Sequence, residues 1–251
     1  MSDRSSSGGF AATPVIIGHR GAAGLEPENT LPSFARAVAL GVQAVEFDVH
    51  VCGGELVVIH DDTLDRTTNG TGSVAATPLE RLRALDAGNG AGVPLLSEVL
   101  AALPEKIAVN IELKGPGTAE PLAAFLTGDL TGDLTGEERR EILISSFDHS
   151  ALNEFKALRD DYALAPLFGR WRRDAIQIAE GFGGGYINLG VKVATASRLQ
   201  AIRAAGLRAL VYTVNDLAAA RRLIAAGASG VFTDYPDRVT RAALISALPA
   251  P

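Results

Sequence analysis

Short apolar runs alternate along the chain with stretches whose apolar residues recur at helical spacing. The runs are "PVIIG", "AVEFDVHV", "KIAVNIEL", "EILISSF", "YALAPLF", "YINLG", "RALVYTV" and "GVFTD". Between them lie stretches such as "LPSFARAVALG", "SRLQAIRAAG" and "DLAAARRLIAAGA", several closed by glycine as helix C-caps are. Strand–helix alternation predicts a parallel sheet with helices packed outside it. Eight such units in 251 residues predict an α/β fold of the (β/α)8 TIM-barrel type. A doubly wound open sheet is the competing arrangement.

Two segments break the rhythm. "ELVVIHDDTLDRTTNGTG" adds a short extra strand and a turn-rich loop after the second strand. "TGDLTGDLTG", residues 127–136, is a tandem five-residue repeat and reads as an expanded surface loop between the third helix and the fourth strand. "GFGGGY", residues 181–186, precedes a strand, so it reads as a connection, not a phosphate loop. No domain boundary is evident. Residues 1–13 are polar and read as a disordered lead-in; residues 14–251 read as a single domain.

Composition narrows the classes. Apolar residues make up 47% and charged residues 21%, as in ordinary globular chains. The formal net charge of −6 argues against a broad basic surface, so no nucleic-acid partner is expected. Cys52 stands alone, which excludes an intrachain disulfide and a thiolate-rich zinc site. No apolar run reaches the roughly 18 residues of a membrane span, and no apolar leader is present. A soluble, cytoplasmic chain without stable membrane insertion is expected. Its oligomeric state stays open.

In a barrel, polar residues at strand C-termini face the catalytic mouth. His19 and Arg20 end the first strand. Arginine offers a planar fork of donors to phosphate or carboxylate, and histidine exchanges protons near neutral pH. In "EFDVH", Glu46, Asp48 and His50 share one strand face, while Val45, Phe47 and Val49 fill the other. Carboxylates aimed into a core are costly unless paired or bound to a cation, and a hard divalent ion is the natural partner. "VNIELKG" repeats the pattern, placing Asn110, Glu112 and Lys114 on one face, with Glu112 a third candidate metal ligand and Lys114 a candidate for a phosphate oxygen. In "VIHDD", His60 supplies a second imidazole at a strand end. Each group alone has a plain structural explanation; together they suggest phosphoester chemistry. Cations offset the phosphate charge, one histidine assists the nucleophile, and the other protonates the leaving oxygen.

"GHRG", "PENT", "EFDVH", "VVIHDDTLDRTTNGTG", "NIELK", "SSFD", "VYTVND" and "GVFTDYPD" follow one another from about Pro14 to Arg238. This ordered set resembles the glycerophosphodiester phosphodiesterase family. The resemblance implies a TIM barrel of the phospholipase-C-like phosphodiesterase type. It implies metal-dependent hydrolysis of glycerophosphodiesters, such as glycerophosphocholine or glycerophosphoethanolamine, to sn-glycerol 3-phosphate and an alcohol. It casts His19 and His60 as the general acid–base pair, and Arg20 and Lys114 as phosphate contacts. It casts Glu46, Asp48 and Glu112 as ligands of a divalent cation, calcium or magnesium. The turn around Cys52 departs from many relatives and is expected to be shortened and distant from the bond cleaved.

Phe147 and Trp171 are candidates to line the glycerol or alcohol side of the pocket. Glu28 and Asn29 are expected to brace the site through hydrogen bonds. Asn215 with Asp216 reads as a helix N-cap, and Asp234 as the start of the last helix. Two alternatives stand beside the leading reading: a lysophospholipase-D-like enzyme, and a catalytically silent barrel that binds phosphodiesters or a protein. The second should have lost a histidine or a metal carboxylate, and none is missing.

Overall fold

The computed structural model describes residues 9–128 and 140–246. The strands are β1 (Val15–His19), β2 (Ala44–Cys52), β3 (Glu55–Val58), β4 (Ala108–Leu113), β5 (Ile142–Ser146), β6 (Ala163–Phe168), β7 (Tyr186–Gly190), β8 (Arg208–Tyr212) and β9 (Gly230–Thr233). The helices are α1 (Leu31–Ala39), α2 (Leu79–Arg83), α3 (Leu96–Ala102), α4 (Ala119–Gly128), α5 (His149–Leu158), α6 (Ala175–Phe182), α7 (Ala196–Ala204), α8 (Leu217–Ala225) and α9 (Arg241–Ile245). β1 pairs in parallel with both β2 and β9, which closes eight parallel strands into a barrel. β3 is the extra strand, antiparallel to the C-terminal end of β2, Val49–Cys52. It joins β2 through Gly53 and Gly54, whose φ values of 59° and 87° suit a tight two-residue hairpin turn. Cys52 is buried beside that turn with its thiol against the Thr77 carbonyl.

The alternation in β2 and β4 sorts the side chains as the pleat requires. Val45, Phe47, Val49, Val109, Ile111 and Leu113 join the large apolar layer between barrel and helices. Glu46, Asp48, Asn110 and Glu112 point the other way, with Glu46 paired to Asn110 and Asp48 to Glu112 in the register. A smaller apolar cluster fills the lower barrel: Val15, Ile17, Ala44, Ala108, Leu143, Ala165, Leu210 and Phe232.

The lead-in expectation fails over its last residues. Gly9–Ala11 form a 3-10 turn, and Phe10, 1% exposed, packs into that lower cluster with its N–H donated to Glu141 Oε2 at 2.7 Å. An aromatic ring closes the floor because the inward residues there, three alanines among them, leave room for it. Phe10→Ala is expected to lower unfolding free energy by about 3–5 kcal/mol, measured by denaturant titration. Residues 1–8 and most of the tandem repeat lie outside the described residues; Thr127 and Gly128 at its start belong to α4. Among the described residues no helix is long and apolar enough to cross a membrane.

Candidate active site

The C-terminal ends of the strands surround a cavity of about 180 Å³. His19, Arg20, Glu46, His60, Asn110, Glu112, Lys114 and Phe147 line it, together with Ser145, Leu167, Asn188, Tyr212, Thr213 and Phe232. Residues from β1, β2, β4 and the loops after β1, β3, β4 and β5 thus meet in one space.

The chain leaves β1 by a sharp turn. Arg20 has φ of 51° and Gly21 φ of 85°, and a Cβ on Gly21 would lie 2.6 Å from the Ser33 carbonyl carbon. Only glycine fits there. The turn aims the Arg20 N–H at Glu46 Oε2, 2.9 Å away. The Arg20 side chain donates to Glu28 Oε1 at 2.7 Å and lies 3.4 Å from Asp48 Oδ2. Asn29, also at positive φ, donates to Asp48 Oδ2 at 2.9 Å.

Both imidazoles are held from behind by a carboxylate. His19 Nδ1 is 2.6 Å from Asp234 Oδ1, and His60 Nδ1 is 2.5 Å from Asp61 Oδ1. An ionised carboxylate only accepts, so each Nδ1 carries the proton and each Nε2 is left as the unprotonated nitrogen of the ring. Burial pushes the Asp234 carboxyl up, but the bonds to His19 and Asn215 outweigh it, and the pKa falls below the ordinary value. Bonding to Arg66 holds Asp61 well below the ordinary range, against a smaller effect of burial. His60 Nε2 meets Lys114 Nζ at 3.1 Å. Burial is the largest influence on the His60 imidazole and keeps its pKa below the ordinary value, with Arg20 and Lys114 adding to it.

Glu46, Asp48 and Glu112 each bring a carboxylate oxygen within 4.8 Å of the others, all three buried. Burial first, and the Asp48 charge second, push Glu46 well above the ordinary carboxyl pKa and Glu112 up to about 7. Lys114 Nζ sits 2.6 Å from Glu112 Oε1 and 3.5 Å from Asp48 Oδ1. Asp48 Oδ1 is buried without a hydrogen-bond donor. A buried, all-oxygen, triply acidic set with an unsatisfied oxygen fits a hard divalent cation.

Of the two aromatics expected at the pocket, one is there. Phe147, 49% exposed, lines the cavity with its ring 5.5 Å from Lys114 Nζ and edge-on to Tyr212. Trp171 does not line it: the loop after β6 lays the ring against the helical layer, under the Arg198 guanidinium at 4.8 Å. Asp216 caps α8 by accepting from the Ala219 N–H, whereas Asn215 donates to Asp234 Oδ2 at 2.6 Å. Asp234 is therefore a histidine partner, a role that its place before Tyr235 and Pro236 does not reveal. Asp61 is adjacent to His60 in sequence, but its hydrogen bond is not readable from that adjacency. Arg66 lies inside the block "VVIHDDTLDRTTNGTG", but nothing in that block shows what its side chain holds.

Comparison with known proteins agrees with this geometry. Residues 19–238 match the model of the glycerophosphoryl diester phosphodiesterase family. A glycerophosphodiester phosphodiesterase of Caldanaerobacter subterraneus is 33% identical over 89% of this chain and 95% of that protein. A phosphodiesterase of Oleispira antarctica, solved in complex with the product sn-glycerol-3-phosphate, superposes with a TM-score of 0.86 at 31% identity, covering 94% of this chain and 98% of that one. A glycerophosphodiester phosphodiesterase of Agrobacterium tumefaciens superposes with a TM-score of 0.75 at 28% identity, covering 90% and 98%. With this fold, this site and these relatives, the chain belongs to the glycerophosphoryl diester phosphodiesterase family and is a phosphodiester-hydrolysing enzyme on a TIM barrel.

Proposed function

We propose that the enzyme hydrolyses glycerophosphodiesters such as glycerophosphocholine or glycerophosphoethanolamine to sn-glycerol 3-phosphate and an alcohol, with a divalent cation and two histidines. One observation carries this reading. Two imidazoles, each backed by a carboxylate, present Nε2 to one cavity that also holds a buried carboxylate triad. The relative from Oleispira antarctica was solved with sn-glycerol-3-phosphate, which supports the same product here.

Arg20, held by Glu28, and Lys114, beside Glu112, offer their remaining donors to the phosphate oxygens. His60, neutral and with Nε2 unprotonated, takes the proton of the attacking group, which is either water or the substrate's own glycerol hydroxyl, whose cyclic phosphate water then opens. His19, with Asp234 stabilising its imidazolium form, gives a proton from Nε2 to the leaving oxygen. Glu46, Asp48 and Glu112 hold calcium or magnesium, and when bound this cation offsets charge on the phosphoryl oxygens. Apolar Phe147, Leu167 and Phe232 line the same cavity and favour a second reading, a lysophospholipase-D-like enzyme whose substrate carries an acyl chain.

The test is release of glycerol 3-phosphate from glycerophosphocholine, glycerophosphoethanolamine and glycerophosphoglycerol, after chelation and again with calcium, magnesium or manganese added. Release should vanish on chelation and return with one ion. Failure with every ion, but release of choline from lysophosphatidylcholine, would move the assignment to the second reading. Failure with all substrates would leave a binding barrel.

A further inference from the structure

Arg66 lies outside the cavity, on the loop that follows β3. Its guanidinium makes two complete forks. Nε and Nη2 donate to Asp61 Oδ2 and Oδ1 at 2.7 and 2.8 Å. Nη1 and Nη2 donate to Glu28 Oε2 and Oε1 at 2.7 and 2.8 Å. Each carboxylate also serves one cavity residue: Asp61 Oδ1 holds His60 Nδ1 at 2.5 Å, and Glu28 Oε1 holds Arg20 Nη1 at 2.7 Å.

We propose that Arg66 is a positioning residue that fixes His60 through Asp61 and Arg20 through Glu28, setting the spacing between the proton-accepting group and the phosphate-binding group. The inference rests on the roles proposed above for His60 and Arg20.

Three observations carry it. First, the loop is a firm support. Leu64, two residues away, is fully buried among Val57, Ile59, Val74 and Leu82, and its N–H bonds the Gly72 carbonyl at 2.9 Å. Second, the geometry demands arginine. One planar fork satisfies four carboxylate oxygens, which a lysine ammonium cannot do. Third, the Arg66 side chain is 47% exposed and bonded to carboxylates, so its removal opens no cavity in the apolar core. Without Arg66, Asp61 and Glu28 would be left as neighbouring carboxylates with no cation between them. Both would then be free to turn toward water, taking His60 and Arg20 with them.

The test compares Arg66→Met, Arg66→Lys and Arg172→Met. The last breaks a singly forked exposed pair, Arg172 with Asp174, away from the cavity. Steady-state kinetics, melting temperature and calorimetric magnesium or calcium affinity are read for each. Arg66→Met should lower kcat by about tenfold to a hundredfold, the usual size for losing a group that orients a catalytic one. It should also raise KM, through Arg20, with melting temperature and metal affinity unchanged. Arg66→Lys should recover only part of kcat, and Arg172→Met should match the parent enzyme. Asp61→Asn should cost much less in the Arg66→Met background than in the parent, because both changes release the same imidazole. Should Arg66→Met fail to fold, Glu28→Gln reads the Arg20 arm alone, with KM raised and kcat largely kept.

Parent-like kcat and KM in Arg66→Met would overturn the inference, as would full additivity with Asp61→Asn, or a loss of kcat that tracks a loss of melting temperature. If His60→Ala and Arg20→Met are themselves active, the proposed function has failed. If they are inactive while Arg66→Met is parent-like, only the role of Arg66 has failed.

Discussion

Replacing His60 with alanine is expected to lower kcat/KM for a glycerophosphodiester by roughly 10²–10⁴-fold, the range general acid–base catalysis contributes. His19→Ala should fall in the same range. The proposed tasks are opposite, one imidazole taking a proton while the other gives one, so neither can take over the other's task. Each is anchored at Nδ1 by its own carboxylate, Asp234 for His19 and Asp61 for His60. Both side chains are partly exposed at the cavity and neither belongs to the apolar core, so the variants should keep parent-like circular dichroism. Losses below about tenfold in either variant would remove it from proton transfer and leave it a binding role. Asp234→Asn should cost less than His19→Ala, since it loosens the imidazole but leaves it in place.

The second large effect concerns the cation. Glu46→Gln or Asp48→Asn should weaken calcium and magnesium binding in a calorimetric titration, and lower activity with it. Removing one charge from a three-carboxylate set leaves less to offset dehydration of the ion. The proposed metal set would also tie cation binding to pH. The Glu112 carboxyl is pushed up to about 7, mainly by burial and then by the Asp48 charge. Its folded pKa thus lies above its unfolded one. In metal-free protein it contributes stability that is fully present below the ordinary carboxyl pKa and is lost as pH rises through about 7. A cation binds only the carboxylate, so binding releases protons and weakens as pH falls through the same region. Melting curves with and without chelator should therefore diverge as pH rises past about 7. Curves that stay parallel across that range would remove Glu112 from the metal set.

The barrel was legible because each strand carries its own pattern. Val45–Phe47–Val49 against Glu46–Asp48–His50 states which face meets helices and which faces inward, whatever else the chain does. His19, Arg20, His60, Glu112 and Lys114 were likewise visible because strand ends point to one mouth. What stayed hidden was pairing across the ring. Asp234 meets His19 only because β9 closes on β1, a contact across 215 residues that no local spacing encodes. Arg66 was hidden for the same reason: its two partners come from separate loops, after β1 and after β3. Trp171 misled in the opposite direction. An aromatic at a strand end matches the pattern of a pocket wall, but the loop's course, not its composition, decides which way the ring faces.

The Phe10 closure of the barrel floor has a kinetic consequence. With Phe10 and the lower apolar cluster filling the floor, the described residues leave the cavity its approach at the strand ends. Substrate and products would then share that mouth, and a product still seated there would exclude the next substrate.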